Sequence, residues 1–299
     1  MRSANLRAAL LILLAMALFA AEDMFLKLLC EDLPFAEVLG ITGMIGWLAF
    51  WAALACQGGR LWTRDLLHPA VLARNLAEAG GSCAIVAALA LGELSTTAAI
   101  MQALPLMLVL GAALVLGEPV GWRRWAAVLA GLGGVLLILR PGLAEMRAGS
   151  LLALAAVAGF AARDIATRRV PHRIHSLQLG GSAFFGLLLA SGVMAVVLDQ
   201  PVLPPRADQF GLFAGCSAVG LGAYVLLIAA TREGEAGALA PFRYARLVFA
   251  LMLAFVVLGE RPDAATLAGA AIVVGSGSYA MWREARQRAR VPDPAGRPA

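Results

Sequence analysis

Two pentapeptides carry charge into apolar surroundings: Phe19-Ala20-Ala21-Glu22-Asp23 and, 141 positions later, Phe160-Ala161-Ala162-Arg163-Asp164. In each copy an acid precedes a base by four residues, Asp23 before Lys27 and Asp164 before Arg168. That spacing sets both charges on one helix face as an ion pair; the competing reading of Lys27 and Arg168 is an interfacial anchor whose cation snorkels to the headgroups. A third stretch, Pro241-Phe242-Arg243-Tyr244-Ala245-Arg246, places two cations at i and i+3, while Glu78 and Gln102 stand inside other apolar runs. Ionisable groups in hydrocarbon are costly and mark ion or substrate paths by default. The candidate chemistry is therefore ligand binding by Phe242, Arg243, Tyr244, Arg246, Gln102 and Glu78. Glu22, Asp23, Lys27, Arg163, Asp164 and Arg168 are the candidates for gating or proton coupling, because burial can raise an acid's pKa. The alternative is that the charges are structural pairs, with depth permitting Glu78 with Arg246 and Asp164 with Arg243. Arg243 between Phe242 and Tyr244 also suits a planar aromatic ring, by stacking and cation-π contact.

Of 299 residues, 61% are hydrophobic and only 14% charged, and the mean hydropathy is +0.82. No soluble globular domain has that balance. Apolar runs of roughly 20 residues, the length of a membrane-spanning helix, follow one another from Ala8 to Met281. We read ten helices: Ala8–Leu29, Ala36–Cys56, Ala70–Leu91, Thr96–Leu116, Trp122–Leu139, Ser150–Thr167, Ser176–Leu198, Gly211–Ala230, Ala238–Leu258 and Ala264–Met281. The first resembles a cleaved signal peptide in its Arg2 and Arg7 flank and small Ala20-Ala21 pair; its recurrence as the sixth argues for its being retained.

Arginines crowd one set of loops, with Arg60, Arg64, Arg123, Arg124, Arg168, Arg169, Arg173 and Arg232 joining both termini, whereas the other set holds Arg140, Arg147, Arg206 and Arg261. By the positive-inside rule both termini are cytoplasmic. The net charge of +5 thus reports topology and does not call for a nucleic-acid partner.

The halves match further. Leu116-Gly117-Glu118-Pro119 recurs as Leu258-Gly259-Glu260-Arg261-Pro262, Gly133 corresponds to Gly275, and Gln102 aligns with Tyr244. Five spans per copy is odd, so the second copy, residues 149–282, must lie upside down relative to the first, residues 8–142; 283–299 reads as a disordered basic cytoplasmic tail. Inverted repeats exchange outward-open and inward-open arrangements around a midplane site. A duplicated scaffold or sensor without transport is the alternative from another class. Advancing 1.5 Å per residue, Asp23 falls roughly 22 Å along its helix and Asp164 about as far along a helix running the other way. The two are mirror images in depth, and Glu22 and Arg163 then differ by roughly 14 Å, too far for a salt bridge between them.

No GxxxxGK[ST] phosphate loop occurs. Cys30, Cys56, Cys83 and Cys216 show no metal-ligand spacing, and His68, His172 and His175 fall in loops. Neither a cofactor, a metal nor an enzyme activity is expected; an intramembrane enzyme using Asp23 or Asp164 as a base is the remote alternative.

On the duplicated five-helix unit, the Gly117-Glu118 and Gly259-Glu260 helix endings and the Gly-rich fifth and tenth helices, the chain resembles the drug/metabolite transporter superfamily, in its two-copy EamA-domain branch. The stretches "FAARDIATRRV" and "ALAPFRYARLVFALMLAFVVLGERPDAATLAGA" are similar to S-adenosylmethionine uptake carriers and to riboflavin importers. The resemblance implies an all-α, ten-helix secondary transporter of a small organic molecule in a bacterial inner membrane, monomeric or homodimeric in the lipid bilayer, with a cavity lined by both halves. Those S-adenosylmethionine carriers read Arg-Tyr-x-Glu where this chain has Arg243-Tyr244-Ala245-Arg246. An acid that would meet a sulfonium is a cation here, which favours a neutral, zwitterionic or anionic ligand.

Overall fold

The computed structural model describes residues 2–60, 62–117, 121–140, 148–171, 173–233 and 240–288. Among them every regular element is helical: α1 (Arg2–Asp32), α2 (Phe35–Cys56), α3 (Pro69–Leu91), α4 (Leu94–Met101), α5 (Leu104–Val115), α6 (Trp122–Leu139), α7 (Ala148–Thr167), α8 (Ser176–Val197), α9 (Ala207–Glu233), α10 (Ala245–Val256) and α11 (Ala264–Arg288). Single 3₁₀ turns, Arg64–Leu67 and Ala240–Tyr244, precede α3 and α10.

Local chemistry sets these bounds. His68 Nδ1 accepts the Ala70 N–H at 3.2 Å with Pro69 in the first turn of α3, and His175 and Gln178 form a capping box at α8, so two of the loop histidines are helix caps. The third, His172, lies outside the described residues. Pro105 lacks an N–H, and the chain answers by tightening at Gln102 and Ala103, whose amides reach back three residues to Ala99 and Ile100. The expected fourth helix is thus two helices in one apolar stretch, Leu94–Val115. The expected ninth helix likewise opens with a 3₁₀ turn. Gly117 and Gly259 both adopt φ +67°, the left-handed stop that favours glycine after a helix; Glu118 and Pro119 lie outside the described residues. Helix α11 runs through Arg288, so the chain stays helical six residues past Trp282; 289–299 lie outside the described residues.

Six stretches are long and apolar enough to cross a membrane: Arg7–Asp32, Phe35–Cys56, Leu94–Val115, Ala148–Thr167, Ser176–Val197 and Ala207–Leu227, with shorter apolar helices at Trp125–Leu139 and Ala264–Ala280. Large apolar side chains cover the outside, among them Leu76, Leu114, Val196, Val225, Val248 and Phe255. Water would not tolerate that surface over so much of a protein, and hydrocarbon does. This is a multi-pass membrane protein.

The helices pack in antiparallel couples. A Cβ on Gly159 would sit 2.7 Å from Gly81 Cα, and one on Gly149 would sit 2.9 Å from Gly92 Cα, so α3 and α7 touch backbone to backbone while running in opposite directions. Small residues permit that approach, and dispersion rewards it. In the same sense Gly46 meets Phe184 and Gly40 meets Ser191 between α2 and α8, Gly215 meets Phe25 and Gly222 meets Leu18 between α1 and α9, and Gly134 meets Ile272 and Gly131 meets Ser276 between α6 and α11. Helices α4 and α10 pack against each other within the main apolar core, beside Ile100, Ala103, Leu106, Leu247 and Ala250.

Candidate functional site

Three charged clusters lie between the couples. In the first, Arg246 at the start of α10 grips Asp23 of α1 through Nε to Oδ2 at 3.1 Å and Nη2 to Oδ1 and Oδ2 at 2.8 and 2.7 Å. The guanidinium also lies 5.3 Å from the Phe19 ring centre. Bidentate geometry makes this the strongest charge-assisted contact available to the pair. It replaces two expectations, Asp23 with Lys27 and Arg246 with Glu78. Counting from Ala8 does not locate the bilayer edge, because α1 is 31 residues long, beyond the ~20 a perpendicular span needs. The 3₁₀ turn before α10 also rises about 2.0 Å per residue rather than 1.5 Å.

In the second cluster Glu78 of α3 meets two arginines: Arg74, one turn earlier, at 3.1 Å, and Arg163 of α7 at 3.0 Å. Arg163 Nε donates to Asp164 Oδ1 at 2.7 Å, and its guanidinium stands 4.8 Å from the Phe160 ring centre. Asp164 is therefore held by its chain neighbour, where an i, i+4 partnership with Arg168 was the expectation; Arg168 lies in the exposed turn after α7. Asp164 is also the carboxylate that acts electrostatically on Arg243, without a hydrogen bond or ion pair between them, so the expected Asp164–Arg243 pair is a field effect only. Arg74 is signalled in the sequence by its i, i+4 spacing to Glu78, in the base-before-acid order that a helix favours less. Asn75 Nδ2 donates to Ser182 Oγ at 3.0 Å and ties this corner to α8.

The third cluster staples two helix ends. Lys27 Nζ donates to the Leu89 carbonyl at 3.2 Å and to that of Gly92, and stands 3.9 Å from the Glu260 carboxylate. Glu260 accepts the N–H groups of Leu94 and Ser95 at 2.8 and 2.9 Å. A cation thus closes the C-terminus of α3 and an anion the N-terminus of α4, each matching the sign the helix dipole prefers. Lys27 is a structural staple, neither the partner of Asp23 nor a headgroup anchor. Glu260 is a role the repeat of the Gly-Glu ending signals without revealing its target.

Four named residues stay outside these pairings. Gln102, at the break between α4 and α5, is buried, and its side chain has no hydrogen-bond partner among the described residues. Tyr244, at the corresponding break before α10, is 5% exposed, and its hydroxyl, set against Gly277, has no partner among the described residues. Glu22 abuts Gly220, where a Cβ would lie 2.5 Å from its Oε1, and accepts no hydrogen bond and forms no ion pair among the described residues. Arg243 is exposed and equally without such a partner there, beside the half-exposed Phe242. The described residues hold no group of three or more metal-ligating side chains.

The sequence profile of the EamA-like transporter family matches residues 6–140 and again 147–279, nearly the whole chain. The chain belongs to the EamA-like transporter family. Among its relatives, an S-adenosylmethionine uptake transporter of Rickettsia prowazekii is 24% identical over 196 residues, 66% of each chain, so this EamA-family chain spans just under two thirds of that relative's length. A riboflavin transporter of Vibrio cholerae is 24% identical over 262 residues, 86% of this chain and 80% of the other. A pseudopaline exporter of Pseudomonas aeruginosa is 25% identical over 267 residues, covering 89% and 92%. A solved crystal structure aligns with a TM-score of 0.61 at 21% identity, over 97% of this chain and 99% of the other, a likeness of fold. The EamA family is a family of transporters, and these relatives carry small molecules.

Proposed function

We propose that this EamA-family protein is a secondary carrier that moves a small organic metabolite across a bacterial inner membrane by alternating access. It does so through ten spans, α4–α5 counting as the fourth and the 3₁₀ turn with α10 as the ninth, in two five-span units of opposite orientation. The observation that carries the reading is the pairing of helices. The first span lies antiparallel to the eighth and the third to the sixth, the second to the seventh and the fifth to the tenth. These are the couples that a two-fold axis in the membrane plane would generate. Two broken helices, one per unit, meet at its centre with Gln102 and Tyr244 at their breaks.

In this reading both termini are cytoplasmic, and the substrate is flavin-like, S-adenosylmethionine-like or amino-acid-like, as the relatives' names support. Arg243, Tyr244, Phe242 and Gln102 face it. The Asp23–Arg246 pair and the Glu78–Arg163–Asp164 group are the two gates, and their acids, with Glu22, couple transport to protons. Uptake of labelled S-adenosylmethionine, riboflavin and L-amino acids into proteoliposomes tests the proposal: saturable flux of at least one, lost in Arg243→Ala at unchanged fold, is the expected result. Flux of none would overturn it.

A further inference from the structure

Among the described residues the embedded charges cancel cluster by cluster, with two exceptions. Asp23 neutralises Arg246; Glu78 and Asp164 neutralise Arg74 and Arg163; Glu260 neutralises Lys27. Glu22 and Arg243 remain, one anion and one cation, each without a hydrogen-bond or ion-pair partner among the described residues. They are neighbours of the same contact: Glu22 is adjacent in sequence to Asp23, and Arg243 is one turn before Arg246. The Asp23–Arg246 grip therefore brings a carboxylate and a guanidinium that lack a bonded partner among the described residues close to one ion pair, on α1 and on the turn before α10, which pack together. They do not satisfy each other.

Glu22 is partly covered and Arg243, though exposed, stands in the ninth span of this reading; an unpaired charge inside a membrane span is expensive, and a protein that keeps two of opposite sign retains the cost in its empty state. A ligand carrying both signs repays it at both ends, whereas a neutral ligand repays neither and a singly charged one leaves the other pole bare. Arg246 in place of the acid of the Arg-Tyr-x-Glu pattern does not count against a cationic group, because Asp23 consumes its charge and Glu22 supplies the free anion. Resting on the carrier reading above, we infer that the substrate is a zwitterion of amino-acid type, its ammonium or sulfonium at Glu22 and its carboxylate at Arg243.

The test uses full-length protein in proteoliposomes with three kinds of probe: zwitterions (S-adenosylmethionine and the L-amino acids), the carboxylate-free methyl esters of those amino acids, and uncharged riboflavin. The expected result is flux of a zwitterion at least tenfold above its ester, with Arg243→Gln erasing that preference and Glu22→Gln lowering zwitterion flux at least tenfold. Thermal unfolding in detergent supplies a second readout. Removing an uncompensated charge leaves the melting temperature of the ligand-free protein unchanged or raised, and abolishes the rise that the transported zwitterion gives wild type. Saturable riboflavin flux indifferent to both substitutions would overturn the zwitterion and leave the carrier standing. A melting temperature lowered by Glu22→Gln or Arg243→Gln in ligand-free protein would make those residues structural and overturn it too. No flux of any probe would overturn the carrier and the zwitterion together.

Discussion

Arg246 and Asp23 are 223 positions apart in the chain and share two short guanidinium-carboxylate hydrogen bonds, at 2.7 and 2.8 Å, across the boundary between the first unit and the second. Breaking such a pair strands the survivor. Asp23→Asn or Arg246→Gln alone is expected to destabilise the protein by about 3 kcal/mol, the low end for an enclosed pair because Arg246 is a quarter exposed. The double variant Asp23→Asn/Arg246→Gln is expected to recover at least half of that loss. Chemical unfolding of the four proteins in detergent checks the cycle; additive losses would mean the two residues act independently.

Glu78 accepts from two arginines and Asp164 from one. Replacing Glu78 by Gln takes the ion-pair partner from Arg74 and leaves Arg163 with Asp164 alone, whereas Asp164→Asn leaves Arg163 still paired with Glu78. The melting temperature is expected to fall more in Glu78→Gln, by at least twice the Asp164→Asn change. Arg74→Gln on the Glu78→Gln background is expected to restore part of it.

Tyr244 keeps a buried hydroxyl without a partner among the described residues, and a Cβ on Gly277 would stand 1.8 Å from that oxygen. An unsatisfied buried hydroxyl costs about 1–3 kcal/mol, so Tyr244→Phe is expected to raise the melting temperature of the ligand-free protein while weakening substrate binding. Gly277→Ala is expected to destabilise by about 1–3 kcal/mol through overpacking, less so on the Tyr244→Phe background. A Tyr244→Phe protein that melts lower would show that the hydroxyl has a structural partner.

Asp263 caps α11 by accepting the Thr266 N–H at 2.7 Å and also meets Arg140. The Thr266 contacts and the Arg140 charge hold its carboxyl below the ordinary value of 3.8. Its contribution is thus complete above that value and is lost as the pH falls through the lower folded-state value. Asp263→Ala is expected to cost about 1 kcal/mol at neutral pH, and the difference from wild type is expected to shrink under acid. A constant difference down to the acid limit would contradict an ionised cap.

Much of the helical frame is legible in the residues. Trp122–Leu139 is found where it is read, and most other bounds fall within two or three residues, because an apolar run between polar loops leaves the chain little choice. The longer helices α1 and α11 extend past their apolar runs because flanking residues continue a helix that hydropathy does not register. The charged residues also declare themselves, since anything ionised in such a run is conspicuous. Their partners are not legible. Depth counting ignores the rotation of each helix about its axis and the identity of its neighbours, so it pairs Glu78 with Arg246 while packing delivers Asp23. Lys27 illustrates the same gap: its i, i+4 spacing to Asp23 is genuine, but the open carbonyls at the end of α3 and the carboxylate of Glu260 lie across a helix boundary that no spacing rule crosses. At Pro105 the missing N–H points to a bend, while the unbroken apolar run, read as the single helix Thr96–Leu116, gives no sign that α4 and α5 part there.

The central claim is that one site is exposed alternately to the two sides of the membrane, and countertransport tests it most directly. Proteoliposomes preloaded with unlabelled S-adenosylmethionine, L-amino acids or riboflavin are diluted into a trace of the same compound carrying a label. The account predicts a transient accumulation of label above equilibrium, several-fold faster than in unloaded vesicles and absent in Arg243→Ala. Label entry that is non-saturable or indifferent to preloading, for every compound that enters, would contradict it.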